Sequence, residues 1–262
     1  MNRLELKIIL LAAILSLACS TRVSEWILLN APADRYLLVC THKEAIPETV
    51  KQSHRELESK SRKANMVFRE VRNEEGPSLQ YALYYDNRLV AKYENPESLK
   101  GIAASPLRKE IAGELMAGKL CVLLYLTTGN KAKDEAGLEV VRKGIAASPF
   151  SSIITLTGLD RNSDTERHFV QMLLHTEDDL KEIREPMLFG IFGRFRVLEP
   201  LLAKGITEEN IGLMIGFLTA DCSCVIKENL PGISILSETS WENPRPALVN
   251  RILDENPHLI HQ

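Results

Sequence analysis

Two stretches of this chain run through the same order of strand-like and helix-like patterns, and that order confines it to an α/β architecture. Tyr36–Thr41 is an apolar run of strand length. From Glu44 to Ala64, Ile46, Val50, Leu57 and Ala64 recur at spacings of four and seven, with charge between them. That is the period of an amphipathic helix, and Pro47 suits its first turn. Asn65–Val71 reads as a second strand. Ser78–Tyr85 and Arg88–Tyr93 flank Asp86-Asn87, a pair suited to a tight hairpin turn, and Glu97–Ala104 returns to helix.

The order then starts again. Ser105 as cap and Pro106 in first position open a helix to about Ala117, where Gly118 stops it. Leu120–Leu126 predicts a strand, Lys131 to about Ile145 a helix, Ile153–Gly158 a strand and Thr165–Leu174 a helix. Met187–Phe192 and Phe195–Leu198 form a hairpin around Gly193-Arg194. Thr207 caps a helix over Glu208–Leu218, whose Ile211, Met214, Ile215 and Leu218 make the buried face. A last helix is expected from about Pro246 to Leu253. Strands alternating with helices in this way predict a central sheet with flanking helices. Lys100-Gly-Ile-Ala-Ala-Ser-Pro106 recurs letter for letter as Lys143-Gly-Ile-Ala-Ala-Ser-Pro149. The copies fall at different places in the two rounds, so they read as Gly/Pro punctuation of helix ends rather than as a duplication.

The amino terminus predicts export. Arg3 and Lys7 precede the apolar run Ile8–Ala18, which ends at Cys19-Ser20. A spanning helix needs about 20 apolar residues, so this run fits a signal sequence instead. Leu15-Ser-Leu-Ala-Cys19 resembles the lipobox of bacterial lipoproteins, in which the cysteine is acylated and anchors the chain to the bilayer; Ser16 stands where that motif usually has Leu. The alternative is ordinary secretion, with Ala18-Cys19-Ser20 as the cleavage site. The remainder is expected in the cell envelope, tethered in the first case and soluble in the second.

The chain carries a net charge of −3 with Lys and Arg spread along its length, which argues against a nucleic-acid partner. No Gly-x-Ser-x-Gly, His-Glu-x-x-His or Gly-rich nucleotide loop is present, and no cofactor is expected. Lys131 and Lys133, after Gly129-Asn130, read as a solvated helix start rather than a phosphate site. Arg194 and Arg196 beside the second hairpin turn can meet an anion; otherwise they read as solvated arginines on a glycine turn.

Cysteines carry the sharper chemistry. Cys121 lies within an apolar run and reads as a small buried hydrophobe. Cys40 precedes Thr41-His42; neighbours on a strand end point apart, so a buried thiol is the expectation rather than a thiolate with His42 as base. Cys222-Ser-Cys224 has three readings: a structural staple, a strained and exchangeable disulfide acting in redox chemistry, or a metal pair completed by histidines such as His168, His175, His258 or His261. No confident metal site follows from these spacings.

The β-α-β, hairpin, α order resembles the thioredoxin fold, twice over. The resemblance implies a first unit over 20–104, a second over 105–225 that ends in Cys222-Ser-Cys224, and an extension over 226–262, all behind a signal segment at 1–19. It also marks Pro77 and Pro186, each preceding a hairpin strand, as candidates for that fold's cis-proline. Redox members carry Cys-x-x-Cys between the first strand and its helix; here those places hold Cys40-Thr-His-Lys43 and Thr127-Thr-Gly-Asn130, so dithiol exchange there is excluded. From Ser105 to Trp241 the chain also looks like a poorly characterised family of exported bacterial proteins. That likeness rests on Ser105-Pro-Leu-Arg-Lys-Glu110, Gly129-Asn-Lys-Ala-Lys-Asp134, Glu185–Arg196, Cys222-Ser-Cys224 and Asn229-Leu-Pro-Gly232. It implies no activity. The expectation is a membrane-tethered envelope lipoprotein that binds a protein or peptide partner, or serves a structural role in the envelope, without catalysis. The alternatives are a thiol-disulfide oxidoreductase or redox sensor using Cys222 and Cys224, and metal binding through the same pair.

Overall fold

The computed structural model describes residues 21–241 and positions 250 and 254. It is α/β, with two mixed sheets and flanking helices. The chain opens with α1 (Val23–Asn30), then β1 (Tyr36–His42), α2 (Glu48–Ser61), β2 (Met66–Arg72) and the hairpin β3 (Leu79–Tyr85) and β4 (Arg88–Tyr93). These strands form one sheet in the order β2-β1-β3-β4, with β1 parallel to β2 and β3 antiparallel to both β1 and β4. Asp86 and Asn87 take φ of 46° and 62°, the left-handed pair that a two-residue hairpin demands.

The second round gives α3 (Pro106–Met116), β5 (Cys121–Thr127), α4 (Lys131–Ala146), β6 (Ile154–Asp160), α5 (Arg167–Leu173), β7 (Met187–Phe192), β8 (Arg196–Val197), β9 (Leu201–Leu202) and α6 (Glu208–Thr219). After these come α7 (Cys224–Glu228) and β10 (Ile233–Ser234). The second sheet has the order β10-β8-β7-β5-β6, with β9 joined to β7. β5 is again parallel to the strand after its helix and antiparallel to the hairpin strand. The edge strand β10 comes from within the segment 226–262. The expected helix from Pro246 to Leu253 lies outside the described residues except at Asn250.

Alternation along the strands sends successive side chains to opposite faces, and β5 is buried on both. Val122, Leu124 and Leu126 join Phe189 and Ile191 of β7, Ile111 and Leu115 of α3, and Tyr36, Leu38 and Leu83 of the first sheet in one core. Cys121, Leu123 and Tyr125 face a second core built from Val23 and Ile27 of α1, Val141 of α4, and Ile211, Ile215 and Leu218 of α6. The two sheets therefore share an apolar interior.

Two buried arginines tie distant segments together. Arg108, 1% exposed, donates to the carbonyls of Ile102 and Leu236, both at 2.8 Å, to that of Gly101, and to Ser105 Oγ at 2.9 Å. Burial lowers its pKa to about 10, while the Glu166 carboxylate opposes that shift. Arg196 donates to Asp34 Oδ2 at 2.8 Å and to the carbonyls of Pro231 and Gly232, clamping β10 onto the sheet. Arg194 donates to the carbonyls of Leu28 and Leu29 and so closes the end of α1, whose last carbonyls lack helical partners. Arg196 is a buried clamp rather than a solvated turn residue, and half-buried Arg194 is engaged with the end of α1.

Other expectations give way to local chemistry. The helix expected over Glu97–Ala104 is a single 3-10 turn, Pro96–Leu99, because Asn95 caps it by accepting from Ser98 N and Gly101 at φ +83° breaks the path. Pro47 precedes α2 as its cap residue rather than sitting inside its first turn. Ser105 has cap geometry, but its hydroxyl serves Arg108 instead of the helix. No peptide bond among the described residues is cis, so Pro77 and Pro186 correct the expectation of a cis-proline at either place. Trans is the intrinsic preference by roughly 0.5–1 kcal/mol. Pro186 O accepts from Ala203 N at 3.0 Å, and Glu185 O accepts from Arg161. Pro77 lies in a loop closed by Gly76 N to Asn73 O, which passes into β3 without a helix.

Candidate functional site

At the carboxyl end of β5 the chain turns into α4 through Thr128-Gly129-Asn130. Gly129 takes φ +85°, and Asn130 Oδ1 accepts from Lys133 N, capping the helix. Asp134, buried one turn into α4, reaches back to accept from the backbone of Thr128 at 2.9 Å and of Gly129 at 3.0 Å, and from the Thr128 hydroxyl at 3.0 Å. A carboxylate clamp thus closes the turn between β5 and α4. Across from it, Arg161 donates to the carbonyls of Ile183 and Glu185 and fixes the approach to Pro186.

Between these two fixed segments lies an open cleft of about 370 Å³. Tyr125, Ala136, Gly137, Val140, Pro186 and Ile206 give it apolar walls. Lys204 stands on its rim, as does an ion pair in which Lys133 Nζ lies 2.9 Å from Glu185 Oε1. The Tyr125 hydroxyl is buried and makes no hydrogen bond among the described residues. Burial, with the nearby charge of Asp134, pushes its pKa up to about 12, so it stays a neutral donor. A Cβ at Gly137 would lie 2.1 Å from that hydroxyl, so only glycine lets α4 pass over it. The apolar run Leu120–Leu126 hid this group, since within it a tyrosine reads as core.

The first sheet and α2 hold a different polar constellation. Cys40 is fully buried, and its neighbour is Tyr81 rather than His42. His42 points out and bonds the carbonyl of Glu44 at 2.8 Å. Tyr81 lies opposite Cys40 in the β1–β3 register and bonds His54 Nε2 at 2.7 Å, while His54 Nδ1 meets the carboxylate of Glu70. A chain of thiol, phenol, imidazole and carboxylate runs inward from the edge strand β2. Burial first, then the Glu70 charge, pushes the Cys40 thiol up to about 11, partly offset by Tyr81. A protonated, enclosed thiol is no nucleophile. His54 falls on the buried side of α2 between Val50 and Leu57, a helical spacing that was open to inspection in the sequence.

Cys222 is 1% exposed and packs in the second core. Its N–H donates to Thr21 O at 2.9 Å. Cys224 begins α7, and its side chain, like Cys19, His258 and His261, lies outside what the structure describes. His168 sits between the Tyr93 hydroxyl at 3.1 Å and the Lys100 carbonyl at 3.2 Å. Burial, assisted by Arg167 and Arg108, lowers its pKa to about 4. His175 is likewise lowered by burial. The structure does not bring either histidine to Cys222: His168 lies on α5, against the first core, and among the described residues no three His, Cys, Asp or Glu side chains gather in a metal-binding arrangement. Cys121 is buried, with its thiol pushed up to about 12. No protein-family model matches this chain, and no curated protein matches it. Among the described residues no helix is long and apolar enough to cross a membrane.

Proposed function

We propose that this is an exported, membrane-tethered lipoprotein, anchored by acylation of Cys19, with two thioredoxin-like units that have no dithiol. In this reading the second unit receives a segment of a protein partner in the Tyr125 cleft and performs no chemistry on it. The strand order supports the fold assignment. Each round sets its first strand between the second and the third, with the third antiparallel to its neighbours. The first unit departs from the pattern by lacking a helix between β2 and β3.

The observation that carries the binding reading is the Tyr125 hydroxyl. A buried polar group without a partner costs roughly 1–3 kcal/mol, and a cleft beside it gives that cost a use. A bound segment would offer an apolar side chain to Val140 and Ile206, and its carbonyl would reach the hydroxyl once α4 gives way at Gly137, since Tyr125 is 0% exposed. Rim charges of both signs suit a peptide backbone with mixed side chains better than a hydrocarbon. The oxidoreductase alternative asks Cys222 to attack or be attacked, and at 1% exposure it would first have to be uncovered.

The test is a random-sequence peptide array probed with the purified chain, followed by titration of selected peptides against wild type and Ala136→Arg. Ala136 is exposed on the cleft wall, so the substitution fills the site and leaves the core intact. Selected peptides that bind the wild type and lose at least about tenfold in affinity with the variant, roughly 1.4 kcal/mol, support the reading. Peptides that bind both equally, or a failure to select any, overturn it. Turnover of a disulfide substrate that disappears in Cys222→Ser would move the assignment to the oxidoreductase.

A further inference from the structure

The two sides of α6 differ in what covers them. Ile211, Met214, Ile215 and Leu218 are buried, and the helix packs on α1, α4 and β7. After the acidic first turn of Glu208 and Glu209, the opposite side reads Gly212, Leu213, Gly216, Phe217 and Ala220, all exposed and none charged. Leu213 is 67% exposed and Phe217 36%. Val225, in the first turn of α7, is 69% exposed. Elsewhere among the described residues only Val71 and Leu89 are large apolar side chains exposed to this degree, and both belong to the first sheet.

The same end of α6 holds the start of the described chain. Thr21 O accepts from Cys222 N at 2.9 Å, Val23 N donates to Ala220 O at 2.9 Å, and Arg22 bridges Asp221 in antiparallel register. The Ser24 hydroxyl adds a bond to Leu218 O at 2.6 Å. Cys19 stands two residues before Thr21 in the sequence. Two residues reach at most about 7 Å when extended, so a lipid anchor on Cys19 would hold the 220–222 corner close to the bilayer surface. Along a helix Phe217 lies about 4.5 Å and Leu213 about 10.5 Å from Ala220 in axial rise, so both fall within the zone that the anchor brings down.

We propose that the outer face of α6, with Val225, seats on the headgroup–acyl boundary of a phospholipid bilayer and fixes the orientation of the tethered protein. The inference rests on the reading of Cys19 as an acylated anchor. Short tether and uncharged face act together: the anchor supplies proximity, and Leu213, Phe217 and Val225 supply the apolar surface that leaves water. Glu208 and Glu209 open α6, Asp221 and Glu228 are exposed beyond its end, and the face itself carries no cation, so anionic lipid is not what attracts it. Contact is expected with neutral phosphatidylcholine and is expected to survive raised salt.

The experiment uses the full chain, expressed with its export segment and reconstituted into phosphatidylcholine vesicles containing bromine-labelled acyl chains. Leu213→Trp places a reporter on the face, and Leu89→Trp places a control on the exposed hairpin of the first unit. Each is read as the emission it adds over the wild-type chain in the same vesicles. Mass spectrometry of the Cys19 peptide establishes acylation first. The expected result is acylated Cys19, quenching of the emission added by Leu213→Trp and no quenching of that added by Leu89→Trp. Acylated Cys19 with an unquenched Leu213→Trp signal overturns the seating and leaves the anchor intact. Cys19 without acyl chains removes the anchor reading and, with it, the seating. An emission shift in Leu213→Trp that depends on protein concentration without vesicles would assign the face to a second copy of the chain instead, and overturn the bilayer as its occupant.

Discussion

The two halves of the molecule share a strand order and differ in what covers their sheets. In the second, β5 and β7 are buried along their length, with α3 and α5 on one face and α1, α4 and α6 on the other. In the first, β1 alternates: Tyr36, Leu38 and Cys40 are buried while Leu37 and Val39 are half-exposed on the far face. The polar groups follow the opposite trend. The half-covered first sheet satisfies the hydroxyls of buried Tyr81, with His54, and Tyr36, with the Ser234 carbonyl at 2.9 Å, and that of half-buried Tyr85, with Asp34 at 2.8 Å. The second sheet, covered on both faces at β5 and β7, leaves the Tyr125 hydroxyl without a hydrogen bond among the described residues, beside a cleft. Coverage therefore does not mark the finished half. The half whose buried tyrosine hydroxyls, Tyr36, Tyr81 and Tyr93, are partnered is the scaffold, and the half with one left over is the candidate for binding.

The comparison presumes that the halves stand or fall as one body, and Arg108 tests this with the largest expected effect. It joins the turn after β4 to Leu236 beyond β10. Arg108→Met keeps the volume and removes every donor, leaving the carbonyls of Gly101, Ile102 and Leu236 without it. The expected loss is about 4 kcal/mol, read from urea unfolding. Trp fluorescence and far-ultraviolet circular dichroism should still give one coincident transition, because the core cluster around Leu38, Val122 and Phe189 spans both sheets. Two separated transitions would show the halves to be independent.

Much of the strand and helix order was legible, because it rests on local rules. The Asp86-Asn87 turn, the Thr207 cap and the buried side of α6 follow from short-range chemistry, and all are present. What was hidden depends on partners far away in the chain. Arg196 reads as a solvated turn residue until Asp34 and the carbonyls of Pro231 and Gly232 arrive from elsewhere in the sequence. The twin heptapeptides show the limit most directly. Lys100–Pro106 turns at Gly101 with φ +83°, whereas Lys143–Pro149 spans the end of α4, where a Cβ at Gly144 would lie 2.8 Å from Ile211. Identical letters take different structures because their tertiary neighbours differ. The cleft was illegible for a related reason: nothing local distinguishes a tyrosine whose hydroxyl finds a partner from one whose hydroxyl does not.

A smaller effect separates the buried histidines. His168, in the second half, faces the Tyr93 hydroxyl, Gln171 and the Lys100 carbonyl, with Arg167 and Arg108 nearby. Its pKa is lowered to about 4 from an ordinary 6.5. The unfolded chain takes up a proton near pH 6.5, and the folded chain resists it until about pH 4. The stability held above pH 6.5 is therefore lost as pH falls through that window, by about 3 kcal/mol. His168→Gln, which keeps a donor and an acceptor but does not titrate, should flatten this part of the stability–pH curve. A variant that loses stability as steeply as the wild type between pH 6.5 and 4 would place the acid sensitivity elsewhere.

The smallest pair of changes addresses the central contrast, through opposite signs. Tyr81→Phe removes a hydroxyl that His54 uses, and leaves His54 Nε2 buried without its partner. It should cost about 1–2 kcal/mol. Tyr125→Phe removes a hydroxyl that nothing among the described residues uses. It should stabilise the fold by about 1 kcal/mol, read as a raised unfolding midpoint, because the folded protein no longer buries an unpaired group. The same substitution should weaken the peptides selected for the cleft, since a bound carbonyl would lose its donor. Stabilisation with weakened binding means that the second half keeps an unsatisfied group for its partner, at a cost to its own fold. Loss of stability in both variants would mean that Tyr125 finds its partner within the chain, and the contrast between the halves would reduce to one of coverage alone.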